Sequence, residues 1–331
     1  MTHPLHSPAF YAGDPYPAYR ELRATDPVCW NDDAGFWGLL KYEDVRFVST
    51  NPALFSSARG ITVPDPTIEN PVLDGSLIFA DPPRHRQLRK LINTGFTRRQ
   101  VAILEPKLRA FARAALDRID PDEGTEFAEQ IAAPLPTRMI AELLGAPDTD
   151  WERFRTWSDA TVGMDDPEVE LDTFTAIGEL FEYFQELISL RRTGALHDSD
   201  DLLSVLVAAE VDGARLTDQD LLYFCLLLLV AGNETTRNLI ALGTLALIEH
   251  PEQFRLLREH PDLMPSAVEE LLRFTTPVAN MSRCATQDVE VRGQLIREGQ
   301  YVTMLYGSAN RDEDVFGPTA EQLDITRNPN P

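Results

Sequence analysis

Apolar positions recur at helical spacing along most of the chain. Residues 16–25 and 42–50 carry them three and four apart, as short amphipathic helices do. Between these lie two short runs, Val28-Cys29-Trp30 and Phe36-Trp37-Gly38-Leu39, separated by Asp32-Asp33-Ala34-Gly35, which predicts a hairpin. Residues 57–83 contain Pro64, Pro66, Pro71, Pro82 and Pro83, which predicts an extended loop of the kind that often carries function. Helical spacing returns over 84–94, 99–119, 126–144, 149–162, 170–193 and 199–210, punctuated by proline and glycine.

Thr217 followed by Asp220 reads as a helix start, and the next proline is Pro251. One helix of about 32 residues, or about 48 Å, is therefore expected. Its stretch 221–230 is apolar on every face, which predicts a course through the centre of a large domain. A shorter helix over 265–274 stops before Pro277. The period then changes to two at Val289-Glu290-Val291, with a turn at Gly293, and again at Leu295-Ile296 and 301–305. The predicted fold is mainly α: a single helical domain over residues 1–331 with a small β-rich region, undivided by any repeat or linker.

Composition narrows the function classes. Of 331 residues, 43% are apolar and 25% charged, as in a globular protein. A net charge of −23 opposes binding to nucleic acid or anionic membranes. The first eight residues lack the basic and apolar parts of a signal peptide, and the most apolar run, 221–232, is too short for a membrane helix of about 20 residues. Cys29, Cys225 and Cys284 are too scattered for a disulfide framework or zinc cluster, which predicts a cytoplasmic location without a membrane anchor.

Candidate chemistry sits inside the long helix. Ala231-Gly232-Asn233-Glu234-Thr235-Thr236 interrupts an apolar run with residues that oppose helix formation, glycine by about 1 kcal/mol relative to alanine. A threonine hydroxyl can bond the carbonyl four residues back and bend the helix, and glycine lets a ligand approach the backbone. Glu234 beside Thr235 would then handle protons. A polar stripe or a packing glycine explains the same residues equally well.

This motif resembles the A/G-G-x-D/E-T oxygen-activation motif of the cytochrome P450 family of haem-thiolate monooxygenases. Two more segments are similar to family motifs: Glu270-Leu271-Leu272-Arg273 to E-x-x-R, and His85-Arg86-Gln87-Leu88-Arg89, after Asp81-Pro82-Pro83, to the haem-facing helix. Ala309-Asn310-Arg311-Asp312 and Pro329-Asn330-Pro331 resemble bacterial members approaching the haem loop. The resemblance implies haem b as cofactor, held through its propionates by His85, Arg89 and Arg283, with Ala231 and Gly232 beside it and Glu234 and Thr235 organising proton delivery. It also implies a structural triad of Glu270, Arg273 and Arg327.

The implied reaction inserts one oxygen atom from O2 into a small apolar substrate, such as a sterol, fatty acid or other lipid-like compound. Substrate-facing positions would come from 57–80, 160–190 and 277–280, including Ile78, Val230, Val278 and Ala279. Ten basic residues against two acidic ones over 84–118 would form a docking patch for an acidic ferredoxin, supplied by a ferredoxin reductase, with the protein acting as a monomer.

The family's axial cysteine loop, F-x-x-G-x-x-x-C-x-G, has no match before Pro331, so the metal ligand is expected beyond Pro331 and the chain is expected to be part of a longer protein that lacks the haem-loop segment here. The alternative is a truncated, non-catalytic remnant that binds haem weakly or not at all and acts as a ligand-binding or interaction protein. A helical hydrolase using Glu234 and Thr235 lacks support, since neither G-x-S-x-G nor H-E-x-x-H occurs.

Overall fold

A computed structural model describes residues 3–64, 76–120, 122, 124–162, 171–194, 201–211 and 213–331. In chain order the elements are α1 (Pro8–Ala12), α2 (Tyr16–Thr25), β1 (Val28–Asn31), β2 (Phe36–Leu39), α3 (Tyr42–Thr50), β3 (Phe55–Ser56), α4 (Arg84–Asn93) and α5 (Arg98–Leu116). They continue with α6 (Pro134–Leu143), α7 (Trp151–Val162), α8 (Thr173–Arg192), α9 (Leu202–Ala208), β4 (Glu210–Val211), β5 (Ala214–Arg215) and α10 (Asp218–Glu249). The remainder is α11 (Pro251–Glu259), α12 (Met264–Thr275), β6 (Asn280–Ala285), β7 (Val289–Val291), β8 (Gln294–Ile296), β9 (Tyr301–Leu305), α13 (Tyr306–Ala309) and α14 (Glu313–Phe316). The chain is mainly helical with a small sheet, and it divides into two compact units, residues 1–82 with 242–331, and residues 83–241.

The first unit is built on a five-stranded sheet in the order β1-β2-β9-β6-β3. The expected hairpin forms, with Val28 opposite Leu39 and Gly35 at φ +67° in its turn, a conformation glycine adopts without steric cost. The late strand β9 lies parallel to β2, placing Phe36 opposite Tyr301, so strands almost the whole sequence apart share one sheet. Strand β6, which the proline-bounded segment after 277 did not predict, completes the sheet antiparallel to β9. Val28, Leu39, Val48, Phe55, Val302 and Met304 pack on one side, and Leu5, Tyr19, Cys29, Phe36 and Leu305 form a second cluster. Where β6 and β9 pair, the buried Ser282 and Thr303 hydroxyls satisfy each other at 2.8 Å.

The second unit is a stack of helices in which α5 packs on α6, α6 on α7, α7 on α8 and α8 on α9. Phe154, Trp157, Leu180, Phe184 and Ile188 fill its core. Asp172 caps α8 by accepting from the Thr175 amide at 2.9 Å, and Asp201 caps α9 through Ser204 at 2.7 Å. Arg191 and Asp201 form a buried pair at 2.9 Å, and the arginine also donates to Ser204 and backbone carbonyls. The helix expected over 126–144 is broken: a π-helical turn at Ala128–Ala132 precedes α6, because Pro134 and Pro136 supply no amide proton to continue the ladder.

The long helix α10 spans 32 residues, and its start carries the reciprocal cap of Thr217 and Asp220. Leu221, Phe224, Cys225, Leu226 and Leu229 are buried, but Leu222, Leu227, Leu228 and Val230 are only half-buried. None of residues 221–230 is exposed, and the buried Phe224 and Leu226 lie on nearly opposite faces, so this stretch is enclosed on more than one side. No described helix is long and apolar enough to cross a membrane.

Candidate functional site on the long helix

The motif of α10 faces two ways. Asn233 points into protein: its Oδ1 accepts from Thr137 Oγ1 of α6 at 2.8 Å, and its Nδ2 donates to Ser158 Oγ of α7 at 2.7 Å. All three side chains are buried, so a single amide ties three helices together. Asn233→Leu should destabilise the protein by about 1 to 3 kcal/mol, chiefly by stranding Ser158, because Thr137 keeps the Ala133 carbonyl. Urea unfolding of the variant checks this.

Gly232 belongs to the same packed side. A Cβ there would meet Ile140 Cδ1 at 3.0 Å, so the glycine is explained by the approach of α6. Close packing of α6 is thus a reason for glycine here beside the expected approach of a ligand. The other side of the helix is accessible: Ala231 is exposed, and Val230, Glu234 and Thr235 are half-buried. Thr235 Oγ1 donates to Ala231 O at 2.6 Å, the backward bond expected of it, yet α10 remains one continuous helix. With its proton committed, the hydroxyl oxygen presents acceptor lone pairs. Glu234 Oε1 accepts from Arg237 Nη2 at 2.7 Å, so the acid is held by a cation one turn along rather than by Thr235.

On α4, His85 is half-buried and Arg89 exposed, one turn apart, and neither has a hydrogen-bond or ion-pair partner among the described residues. The surrounding basic patch is partly neutralised: Arg84 pairs with Asp220, Lys107 with Glu142 and Arg109 with Glu105. Arg86, Arg98, Arg113 and Arg118 are exposed.

In the first unit, Arg283 on β6 is half-buried, and its only described hydrogen bond is to its neighbour's carbonyl, Ser282 O, at 2.7 Å. Burial pulls its pKa below the usual arginine value. Ile78 lies half-buried in a turn at Leu77–Phe79, Val278 is half-buried, and Ala279 is exposed, its carbonyl accepting from the Tyr306 amide. The segments 65–75 and 163–170, parts of the expected substrate lining, lie outside the described residues.

Glu270 is fully buried and accepts from Arg273 at 2.7 and 2.8 Å and from Arg327 at 3.1 and 3.2 Å. Arg273 also donates to the carbonyls of Asn310, Ala320 and Gln322, and Arg327 to those of Phe316, Thr319 and Gln322. Two guanidinium groups thereby gather the irregular backbone of 310–327 around one carboxylate.

A family model described as Cytochrome P450 matches residues 166–329. A methyl-branched lipid omega-hydroxylase of Mycobacterium bovis is 40% identical over 304 residues, covering 90% of this chain and 70% of the relative. The steroid C26-monooxygenase of Rhodococcus jostii is 37% identical over 332 residues, covering 96% of this chain and 69% of the relative. A Mycobacterium marinum cytochrome P450 solved in complex with pseudoionone superposes with a TM-score of 0.88 at 37% identity, covering 100% of this chain and 84% of that one. The chain belongs to the cytochrome P450 family.

A P450 carries haem, and the cationic residues fit its propionates. Arg283 is a partly desolvated cation that makes no described ion pair, with Asp81 the one carboxylate near enough to stabilise its charge, and such a cation can bind an incoming carboxylate. His85 and Arg89 offer two more uncommitted donors. None of the three cysteines fits the P450 thiolate. All are buried; burial pushes the Cys29 thiol up to about 11 and raises that of Cys225 as well. Cys29 Sγ donates to Gly38 O and Cys284 Sγ to Ala285 O. Among the described residues, no group of three or more His, Cys, Asp or Glu side chains could hold a metal ion.

Sequence reasoning singled out the motif's acid and alcohol but not their partners. Arg237 was visible in principle, three residues after Glu234 on one helix face. Nothing in the sequence pointed to Thr137, Ser158 or Asp159, which only packing brings to α10.

Proposed function

We propose that this protein is a haem-dependent monooxygenase that places one oxygen atom from O2 into an apolar, lipid-like substrate, in the cytoplasm and with electrons from a ferredoxin and its reductase. The observation that carries the reading is the accessible side of α10 at the motif, where Ala231 is exposed and Glu234 and Thr235 are half-buried. The related lipid hydroxylase, the steroid monooxygenase and the structure holding pseudoionone support the substrate class. Ile78 and Val278 of the first unit, each half-buried, and half-buried Val230 of the second are apolar, as contact with such a substrate requires. The exposed arginines of α4 and α5 support an acidic electron donor, and three unpaired thiols support a reducing compartment.

In this reading residues 1–331 act as one P450 domain and as a monomer. Arg283, His85 and Arg89 hold the haem propionates. Haem, when bound, supplies the iron that binds and activates O2. Thr235 Oγ1, its own proton on Ala231 O, accepts a hydrogen bond and fixes a proton donor beside the reacting oxygen. Glu234 takes a proton at its carboxylate and passes it inward, with Arg237 setting its resting position. Ala231 keeps that side of the helix low, and Glu270, Arg273 and Arg327 maintain the fold without touching substrate.

Incubation of a form of the protein that carries a thiolate haem ligand with heavy-isotope O2, a ferredoxin, its reductase, NADPH and a branched fatty acid tests the reading by mass spectrometry. One heavy oxygen in the product is expected. A chain that binds the fatty acid but takes up no haem would instead be a ligand-binding protein. Arg283→Ala should weaken haem retention by about 1.5 to 3 kcal/mol, roughly 10- to 100-fold, whereas exposed Arg86→Ala should leave it unchanged. Haem absorbance per protein after dilution measures both.

A further inference from the structure

The guanidinium that holds Glu234 is shared. Arg237 Nη2 lies 2.7 Å from Glu234 Oε1, while its Nη1 lies 3.6 Å from Asp159 Oδ1 on α7. Asp159 Oδ2 is in turn 3.5 Å from Arg155 Nε, and Arg155 Nη2 pairs with Glu129 Oε2 in the π-helical turn. Five side chains thus alternate in sign, and their exposure rises from 23% at Glu234 to 31% at Asp159 and 50% at Glu129.

This line of charges is not needed to fasten α7 to α10. One residue before Asp159, Ser158 already accepts the buried Asn233 hydrogen bond, and Trp157 is buried in the core. A partly exposed ion pair at 3.6 Å adds little to such packing. What it does change is the charge that Arg237 offers Glu234. A guanidinium answering two carboxylates stabilises each less than it would stabilise one alone.

We propose that Asp159 is a positioning residue for Glu234: by competing for Arg237 it loosens the hold on the Glu234 carboxylate and makes proton uptake there easier. The inference rests on the proton-handling role proposed for Glu234. The charged groups around that carboxylate, among the described residues, are Arg237 on its own helix, Asp159 and Arg155 on α7, and Glu129 before α6. Burial is the largest influence on the Asp159 carboxyl and raises its pKa, against the pull of Arg155 and Arg237. A negative charge held there at a cost is one that competes for any neighbouring cation.

The test is a carboxyl-carbon NMR titration of Glu234 in the full chain. Arg237→Gln should raise the Glu234 midpoint, by removing its cation. Asp159→Asn should lower the midpoint, since Arg237 then serves Glu234 alone, and Asp159→Glu should return it close to the native value. In an Arg237→Gln background the effect of Asp159→Asn should shrink. An equal or larger effect in that background, an upward shift, or no shift would overturn the proposal. If Asp159→Asn fails to fold, Arg155→Gln replaces it: freeing Asp159 to draw harder on Arg237 should raise the Glu234 midpoint, and a fall or no change would overturn the proposal. The readout does not depend on turnover. An active enzyme with an unmoved Glu234 would refute this inference alone, whereas a thiolate-ligated, haem-loaded form of the protein that stays inactive with donor and substrate would refute the monooxygenase reading alone.

Discussion

Glu270→Ala should cost the protein about 3 to 5 kcal/mol of stability, the largest effect expected of any single substitution here. The carboxylate is wholly buried and is the only acidic group paired with Arg273 and Arg327 among the described residues. Removing it leaves two guanidinium groups without a carboxylate, their described partners reduced to backbone carbonyls, the Thr319 hydroxyl and the Phe316 ring. It also frees the amide of Asp324, which donates to Glu270 Oε1 at 2.8 Å. The irregular segment 310–327 should therefore loosen first, and hydrogen exchange in that segment should rise more than in the five-stranded sheet. Urea denaturation gives the global loss. A variant with native stability and unaltered exchange would show that the three side chains do not hold this region together.

The second large effect concerns turnover. Under the proposed reading, Thr235→Ala should let the haem-loaded enzyme consume NADPH and release hydrogen peroxide while product falls, because the hydroxyl that fixes the proton donor is gone. Glu234→Gln should slow oxygen-dependent turnover about a hundredfold, the lower end of what a positioned acid or base contributes. Thr236→Ala is the internal control, because Thr236 is exposed on α10 and has no assigned role. Product per NADPH, peroxide and turnover rate, measured together, separate the outcomes. Unchanged coupling and rate in the first two variants would remove Glu234 and Thr235 from the proton path.

Much of this was legible in the sequence because its physics is local. Capping, proline punctuation and a period near 3.6 act within a few residues, so α2, α3 and the 32-residue α10 follow from the sequence alone. The same holds for the turn at Gly35, whose positive φ costs a residue without a side chain least, and for the Thr235 bond to Ala231, which spans one helical turn. Where proline spacing was ambiguous the reading failed. The 126–144 segment became a π-helical turn and a shorter helix, and β6 was hidden in a stretch read for its chemistry rather than its period.

What only the tertiary structure decided are the pairings between residues far apart in the chain. That β2 lies parallel to β9 depends on burying both faces of one sheet, which no local pattern encodes. Gly232 reads in the sequence as a ligand approach or a helix contact, and only the fold shows that Ile140 lies 3.0 Å from where its Cβ would be. Asn233 looks like an indifferent position in a motif, yet the fold makes it the amide that joins α6, α7 and α10. The identities of Glu234 and Thr235 come from sequence. Their direct partners, the Ala231 carbonyl and Arg237, are local to α10, but Asp159 beside Arg237 comes from packing, because a side chain's wider electrostatic surroundings are set by whichever elements burial brings against it.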